Sequence, residues 1–251
     1  MSMSPLRRVA ILGESPLVEE YAALCHNKGF EVAIRLNPEY AHVKLPKGFR
    51  KIMKPARATE IALELTNVSL ETKKANLIAL DKALSPKSLI LSTSVTVSAA
   101  EQSSWISRPG RLIGFGALPS LLANELVEIA PSFTTDPEAL KGAQDFGKAL
   151  GKTVAVVRDC VGLVLPRILC MLANEASFAL MENVASGKDI DTAMTLGTNY
   201  PWGPVQWTER IGVRQVHAVM TALHRHFGED RYRVAPLLRL AALRNAALGA
   251  M

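Results

Sequence analysis

The chain is poor in the residues on which disulfide-rich and membrane-spanning proteins depend. Its cysteines, Cys25, Cys160 and Cys170, are odd in number and lack Cys-x-x-Cys spacing. This favours buried thiols in a reducing, cytoplasmic setting over disulfides, and it predicts no metal site. No run of about 18 apolar residues occurs, so no membrane span is predicted. Aromatic residues make up only 6% of the chain, which leaves little material for stacking against bases.

What the chain does contain is apolar material for a substantial core and one concentrated basic segment. Hydrophobic residues make up 49%, which argues against disorder. Between Ala41 and Thr59 there is no acidic residue, and the segment carries these basic ones: Lys44, Lys47, Arg50, Lys51, Lys54 and Arg57. This run predicts either a solvated loop face or a site for the phosphates of a nucleotide or of CoA. Nucleic acid is disfavoured, because Phe49 is the one residue there suited to base stacking.

The first part of the chain alternates strand and helix patterns. Apolar runs predict strands at Arg8–Leu12, Glu31–Leu36, Ile61–Leu65, Ser88–Leu91, Leu112–Phe115, Leu126–Ile129 and Thr153–Val157. Helical periodicity predicts helices at Leu17–Asn27, Leu70–Leu84 and Pro137–Leu150. Such alternation is typical of an α/β domain with a parallel, doubly wound sheet. After Asp159 the strand patterns stop, so we predict a Rossmann-like domain over residues 1–158 and an all-α domain over residues 159–251.

The all-α part opens with motifs that are specific in their order and spacing. Asp159-Cys-Val-Gly162 precedes a long helical pattern that contains Asn174-Glu-Ala176. Two longer motifs follow, Asp189-Ile-Asp-Thr-Ala-Met194 and Gly197-Thr-Asn-Tyr-Pro-Trp-Gly-Pro204. Asp189 is expected to cap the next helix, and Pro204 is expected to begin a further helix.

These motifs resemble the start of the substrate domain in the 3-hydroxyacyl-CoA dehydrogenases, and the resemblance continues upstream to about Ile61. It implies a domain that binds NAD or NADP, a helical domain that forms dimers, an acyl-CoA-like ligand, a role in fatty acid metabolism and no metal. Between Asn37 and Ala58 the chain has only a short basic connection. The family normally inserts a long helical hairpin there, which helps to hold CoA.

The phosphate-binding loop of a Rossmann domain needs glycines for a tight turn and for close approach of the pyrophosphate. Gly13 remains in this chain, whereas Ser15 and Val18 stand at the second and third glycine positions. Glu14 adds negative charge near the phosphate path, and Pro16 removes a backbone N–H at the helix start. We therefore expect impaired dinucleotide binding, with Gly13 and Ser15 as the candidate contacts in this loop.

Three further residues are candidate cofactor contacts by the resemblance. The family expects an acid for the adenine ribose where this chain has Arg35. Arginine there can accept a 2′-phosphate, which favours NADP over NAD if a dinucleotide binds, but a surface arginine beside a basic loop is the favoured explanation. Lys73 matches a family lysine near the nicotinamide ribose, while Val68 replaces the neighbouring glutamate. Thr93 lies at the Ser/Thr-rich end of a predicted strand.

Hydride transfer at a hydroxyl carbon needs a general base, normally a histidine, oriented by a carboxylate. In the resembled enzymes a serine and an asparagine also polarise the substrate oxygen. By the resemblance the carboxylate is Glu128, whereas the histidine, serine and asparagine positions fall on Gly116, Val95 and Pro166. None of these three can move a proton or donate a side-chain hydrogen bond. Thr96, beside Val95, is the nearest hydroxyl that could replace the serine.

The sequence names no replacement for the missing base, since no histidine occurs between His42 and His217. The later histidines lie in a helical pattern and are expected to be exposed or core-lining. Our hypothesis is a family member without the family's chemistry, acting as a non-catalytic partner or binding an acyl-CoA-like ligand. It would assemble as a homodimer or as a hetero-oligomer with an active paralogue. The alternative is an active NAD(P)-dependent dehydrogenase with rearranged catalytic residues, in which Glu128 participates.

Overall fold

In the computed structural model, which describes residues 7–45 and 48–250, the first part of the chain forms an eight-stranded sheet flanked by helices. The strands are β1 (Arg8–Gly13), β2 (Glu31–Leu36), β3 (Arg50–Lys51), β4 (Ile61–Leu65), β5 (Leu89–Thr93), β6 (Leu112–Phe115), β7 (Leu126–Pro131) and β8 (Thr153–Val156). The helices are α1 (Leu17–Asn27), α2 (Leu70–Ala83), α3 (Ala99–Ser103) and α4 (Pro137–Ala149). Lys47 of the basic run lies outside the described residues.

The strand order is β3-β2-β1-β4-β5-β6-β7-β8. All neighbours run parallel except β6 and β7, which pair antiparallel with Phe115 opposite Ile129. The predicted doubly wound fold is confirmed, with this one antiparallel pair as a difference. The connection over residues 116–125 is too short for the dozen or more residues that a parallel crossover needs. The order turns back between β1 and β4, and ligands of doubly wound sheets bind beside the carboxyl ends of strands at such a point.

Burial on both faces explains the unbroken apolar runs that predict the strands. All five residues of β4 are buried. One face packs against α1 and α4 through residues such as Leu17 and Phe146, and the other packs against α2 and α3 through Leu77 and Ala99. The sequence pattern does not reveal β3, because its two residues are exposed and basic. Basic residues on an edge strand discourage pairing with another chain.

The remaining residues form a second compact unit, made of Leu118–Leu121 and the chain from Val164 onward. Its helices are α5 (Leu165–Met181), α6 (Gly187–Thr198), α7 (Pro204–Ile211), α8 (Val213–Phe227) and α9 (Pro236–Arg244). The division falls a few residues after the predicted one at 158. Asp159 stays in the first unit because its carboxylate accepts the backbone N–H groups of Ala99 and Ala100, each at 2.7 Å. None of the helices in the described ranges is long and apolar enough to cross a membrane.

The helix caps of the second unit differ from the prediction in one respect. The prediction that Asp189 caps a helix is wrong, because Ser186 precedes α6 and its Oγ accepts the backbone N–H of Asp189 at 3.2 Å. Asp191 instead caps α7, where its carboxylate accepts the N–H of Val205 at 2.8 Å. Pro204 is the first residue of α7, as the sequence predicts.

Candidate functional site

The carboxyl ends of four parallel strands bring the candidate cofactor residues to one edge of the sheet. Gly13 ends β1, Arg35 lies near the end of β2, and Thr93 ends β5. Lys73 comes from the first turn of α2, directly after β4. Ser15 follows Gly13 in the loop that leads to α1. The structure therefore gathers these five candidates in one region of the first unit.

Gly13 is required by the packing of the strands themselves. Its φ is +149°, and a Cβ added there would lie 2.5 Å from the carbonyl carbon and oxygen of Leu65. Its carbonyl accepts the backbone N–H of Asn37 at 2.8 Å. A side chain at this position would push β1 away from the end of β4. The retained glycine thus has a structural reason that does not depend on a bound phosphate.

The rest of the loop turns its polar groups toward the protein. Glu14 is fully buried, and its Oε1 accepts the backbone N–H of Val68 at 2.8 Å. The carboxylate therefore links two loops from a buried position beside the turn. Ser15 donates through Oγ to Oε1 of Glu19 at 2.8 Å. Pro16 stands at the N-cap of α1, where it has no N–H to donate.

Lys73 is fully buried, and its ammonium donates to protein acceptors. These are Glu64 Oε2 at 2.5 Å, Thr93 Oγ1 at 2.8 Å and the carbonyl of Thr66 at 2.9 Å. Burial lowers the pKa of the Lys73 ammonium, and the adjacent Glu64 carboxylate opposes that effect. Two of the candidate cofactor residues, Lys73 and Thr93, therefore contact each other.

Asn76, one helical turn after Lys73, extends this network to Arg35. Its Nδ2 donates to Glu64 Oε1 at 3.1 Å and to Asn37 Oδ1 at 3.0 Å. Its Oδ1 accepts from Nη2 of Arg35 at 2.5 Å. Burial lowers the pKa of the Arg35 guanidinium, again opposed by Glu64. Arg35 is thus hydrogen-bonded within the protein rather than free in solvent.

We name this group the carboxyl-edge cluster. Its members are Arg35, Asn37, Glu64, Thr66, Lys73, Asn76 and Thr93. Sequence reasoning missed Glu64 and Asn76, although a signal was present for each. Glu64 is an acid inside an otherwise apolar buried strand, and a buried charge requires a partner. Asn76 follows Lys73 by three residues and so shares its helix face.

Several residues at this edge differ from those that usually contact NAD or NADP. A dinucleotide needs backbone N–H groups at the helix start, close approach to a glycine-rich turn and a partner for the adenine ribose. Pro16 supplies no N–H, and Ser15 adds a side chain that is hydrogen-bonded within α1. Lys73 and Arg35 are engaged by other members of the carboxyl-edge cluster.

The antiparallel pairing of β6 and β7 places Gly116 opposite Glu128. The register pairs Phe115 with Ile129, and the N–H of Gly116 donates to the carbonyl of Glu128 at 2.9 Å. Glu128 is buried. Residues opposite each other in an antiparallel pair have Cβ atoms about 4.5–5.5 Å apart, so a histidine at position 116 would reach this carboxylate. In this chain Gly116 presents no side chain to that carboxylate.

The other candidate catalytic positions also lack a usable polar group. Val95 is fully buried, and the neighbouring hydroxyl of Thr96 donates to the carbonyl of Asn67 at 3.0 Å. In the second unit, Pro166 is buried in the first turn of α5. Proline there suits a helix start, where its missing N–H leaves no donor unsatisfied. Pro166 is therefore compatible with the helix and offers no side-chain hydrogen bond.

The late histidines all lie on α8 in the second unit. His217 is half-buried, and burial together with Arg239 lowers its pKa. His224 and His226 are exposed in the last turn of the helix. Within the part of the chain that the structure describes, no group of three or more His, Cys, Asp or Glu side chains could hold a metal ion.

Comparison with known proteins covers both units. The 3-hydroxyacyl-CoA dehydrogenase NAD binding domain model matches residues 39–160, and the 3-hydroxyacyl-CoA dehydrogenase C-terminal domain model matches residues 162–247. Residues 1–38, which contain the altered phosphate loop, lie outside both matches.

Individual relatives that resemble this chain are named as 3-hydroxybutyryl-CoA dehydrogenases. The 3-hydroxybutyryl-CoA dehydrogenase of Bradyrhizobium diazoefficiens is 31% identical over 71% of this chain and 61% of its own length. A probable 3-hydroxybutyryl-CoA dehydrogenase of Bacillus subtilis is 29% identical over 74% of this chain and 65% of its own length. The chain thus spans less than two thirds of either relative. The solved structure of (S)-3-hydroxybutyryl-CoA dehydrogenase PaaH1 from Ralstonia eutropha superposes with a TM-score of 0.78 at 26% identity, covering 95% of this chain and 94% of that one.

Proposed function

Because the chain belongs to the 3-hydroxyacyl-CoA dehydrogenase family, we propose that it keeps the family's fold without the family's hydride-transfer chemistry. It acts as a non-catalytic partner subunit or as a ligand-binding protein for an acyl-CoA-like molecule. The observation that carries this proposal is the pairing of Gly116 with Glu128. The carboxylate that would orient a base is retained, and the base is absent.

The magnitude of the expected loss follows from the roles that are missing. Oxidation of a 3-hydroxyacyl group transfers a hydride to the nicotinamide and the hydroxyl proton to a base. Removing the general base typically costs about 10²–10⁴ in rate. Removing a donor that stabilises the developing charge on the substrate oxygen costs about 10²–10³ more. Val95 and Pro166 supply neither donor.

The cofactor argument points in the same direction. The family domain is a NAD-binding one, and Arg35 would favour NADP if a dinucleotide were bound. Lys73 and Arg35 already donate to protein acceptors, so a dinucleotide that used either cation would compete with those partners. We propose that this competition makes dinucleotide binding weak or absent at physiological concentrations.

A second candidate function is an active NAD(P)-dependent 3-hydroxyacyl-CoA dehydrogenase with rearranged catalysis. The observation that favours it is the buried Glu128, retained beside the position of the missing histidine. The names of the relatives support the same reaction class. In that case either Glu128 acts as the base, or a second subunit supplies the base.

The proposed partner surface lies on the second unit. Leu196, Leu243 and Val184 are 83%, 75% and 70% exposed, and a partner would remove these apolar side chains from water. They support a homodimer or a hetero-oligomer with an active paralogue. Sedimentation of the purified chain distinguishes a monomer, which needs a different partner, from a self-associating protein.

A reducing, cytoplasmic setting suits the three free cysteines.

The decisive test of the function is a turnover assay with acetoacetyl-CoA and NADH or NADPH, followed at the absorbance of the reduced nicotinamide. We expect no rate above the buffer control. Turnover at ordinary enzyme rates of about 1–10³ s⁻¹ would overturn the proposal. The Glu128→Gln variant is the matched control for trace contamination by host dehydrogenases. A rate that persists unchanged in Glu128→Gln does not come from this site.

A further inference from the structure

A groove lies at the amino-terminal edge of the sheet, opposite the carboxyl-edge cluster. It is a groove of about 490 Å³, bounded by the segments that precede β1 and β4, the α2–β5 connection and one residue of α4. Cavities of roughly 300–1,000 Å³ are the size that holds small molecules. All of its lining residues belong to the first unit. Its position separates it from the dinucleotide edge of the fold.

The groove has an excess of positive charge. Arg7, Arg57 and Lys87 line it, and Glu60 is the one carboxylate among its described lining residues, which leaves two positive charges in excess. One oxygen of Glu60 already accepts the backbone N–H of Arg8 at 3.3 Å. No ion pair joins any of the three cations to another described residue. A concave surface lined by one sign of charge concentrates counter-ions.

The segments that carry these cations are held in place by buried contacts. Ser88 donates through Oγ to the carbonyl of Thr59 at 2.7 Å, which joins the segment before β4 to the segment before β5. Buried Arg111 donates to the carbonyl of Ser85, at the start of the turn that carries Lys87. The segments that line the groove are therefore fixed by hydrogen bonds and do not form a free loop.

We propose that this groove binds a phosphorylated small molecule through its phosphate or diphosphate group. A dianion would neutralise the two excess positive charges. Arg7 and Arg57 each offer several N–H donors in the planar arrangement that suits phosphate oxygens, and Lys87 adds a point charge. Arg50 and Lys51 of β3 are exposed like the groove cations, but they line no part of this groove.

The test is a calorimetric titration of the full chain with inorganic pyrophosphate at low ionic strength. The groove variant is Arg57→Ala/Lys87→Ala, and the matched control is Arg50→Ala/Lys51→Ala, which removes the same charge from exposed positions outside the groove. We expect binding by the unmodified chain, weakened about tenfold or more in the groove variant and less than about twofold in the control. A parallel titration with ADP asks whether the site recognises free diphosphate alone or a nucleotide that carries one.

Two outcomes would overturn the proposal. One is the absence of measurable pyrophosphate binding by the unmodified chain. The other is equal weakening in both variant pairs, which means that diffuse surface charge, and not the groove, attracts the anion. Circular dichroism establishes that each variant is folded, and Arg57→Gln/Lys87→Gln replaces the alanine pair if it is not. Binding in the groove is independent of hydride transfer, so its failure leaves the proposed function untouched.

Discussion

Replacing Lys73 by methionine tests whether the carboxyl-edge cluster is a structural element of the fold. Methionine has a similar length but leaves the Glu64 carboxylate, which is fully buried, without the ammonium that lies 2.5 Å away. Breaking a buried ion pair by removing one partner costs about 3–5 kcal/mol. For a chain of this size each kcal/mol lowers Tm by about 2–4 °C, so Tm should fall by about 6–20 °C.

The assay is urea and thermal unfolding followed by circular dichroism, without any ligand. Lys74→Met is the matched control, since Lys74 is the exposed neighbour on the same helix and makes only a cation–π contact with Trp105. Its loss should cost no more than about 1 kcal/mol. The double variant Lys73→Met/Glu64→Gln should recover part of the stability, because it removes the uncompensated charge.

A small effect of Lys73→Met would refute this reasoning. If Lys73 were held ready for a cofactor, its removal would change the stability of the ligand-free protein by less than about 1 kcal/mol. The free energy of unfolding would then resemble that of Lys74→Met. That result would mean that the ammonium is available to a ligand, and it would favour the active-enzyme alternative.

Three further predictions use other parts of the structure. Gly13→Ala should destabilise the protein by about 2–5 kcal/mol in urea unfolding, because the new Cβ would meet the backbone of β4 at 2.5 Å and φ is +149°. Burial lowers the pKa of His217, so the unfolded state takes up the proton first as the pH falls. The stability of the protein should therefore decrease below about pH 6.5. The Tm of His217→Gln should fall less between about pH 7 and pH 5 than the Tm of the unmodified chain. In a thiol titration at about pH 8, Cys160 should react fast, whereas Cys25 and Cys170 should react only on unfolding, since both are buried and burial raises the pKa of Cys25 to about 12.

The fold was predictable from the sequence because most of its determinants are local. Strands β2, β4 and β6 begin and end where their apolar runs begin and end, since both faces of the sheet are covered. Helix α1 likewise has the predicted bounds. The exceptions depend on residues distant in sequence. The strand β3 forms by pairing with β2, and Asp191 caps a helix that begins at Pro204.

The candidate site was less predictable, and for the same reason. The resemblance to a family pointed to Gly116 and Glu128, and the antiparallel register places them opposite each other. The partners of Lys73 and Arg35 could not be read from spacing alone, because they come from separate elements that meet only in the folded sheet. A charged residue inside a buried strand, here Glu64, indicates that a partner of opposite charge lies nearby in the fold.

Direct titration of the unmodified chain with NADH and NADPH tests the central claim most directly, because it does not depend on catalysis. We predict no measurable heat and no change in Tm with either dinucleotide, since the cluster already engages Lys73 and Arg35. A ligand present at 100 times its Kd would stabilise the protein by about 2.7 kcal/mol, which thermal unfolding detects easily. Stabilisation of that size by either dinucleotide would contradict the account and establish a working cofactor site.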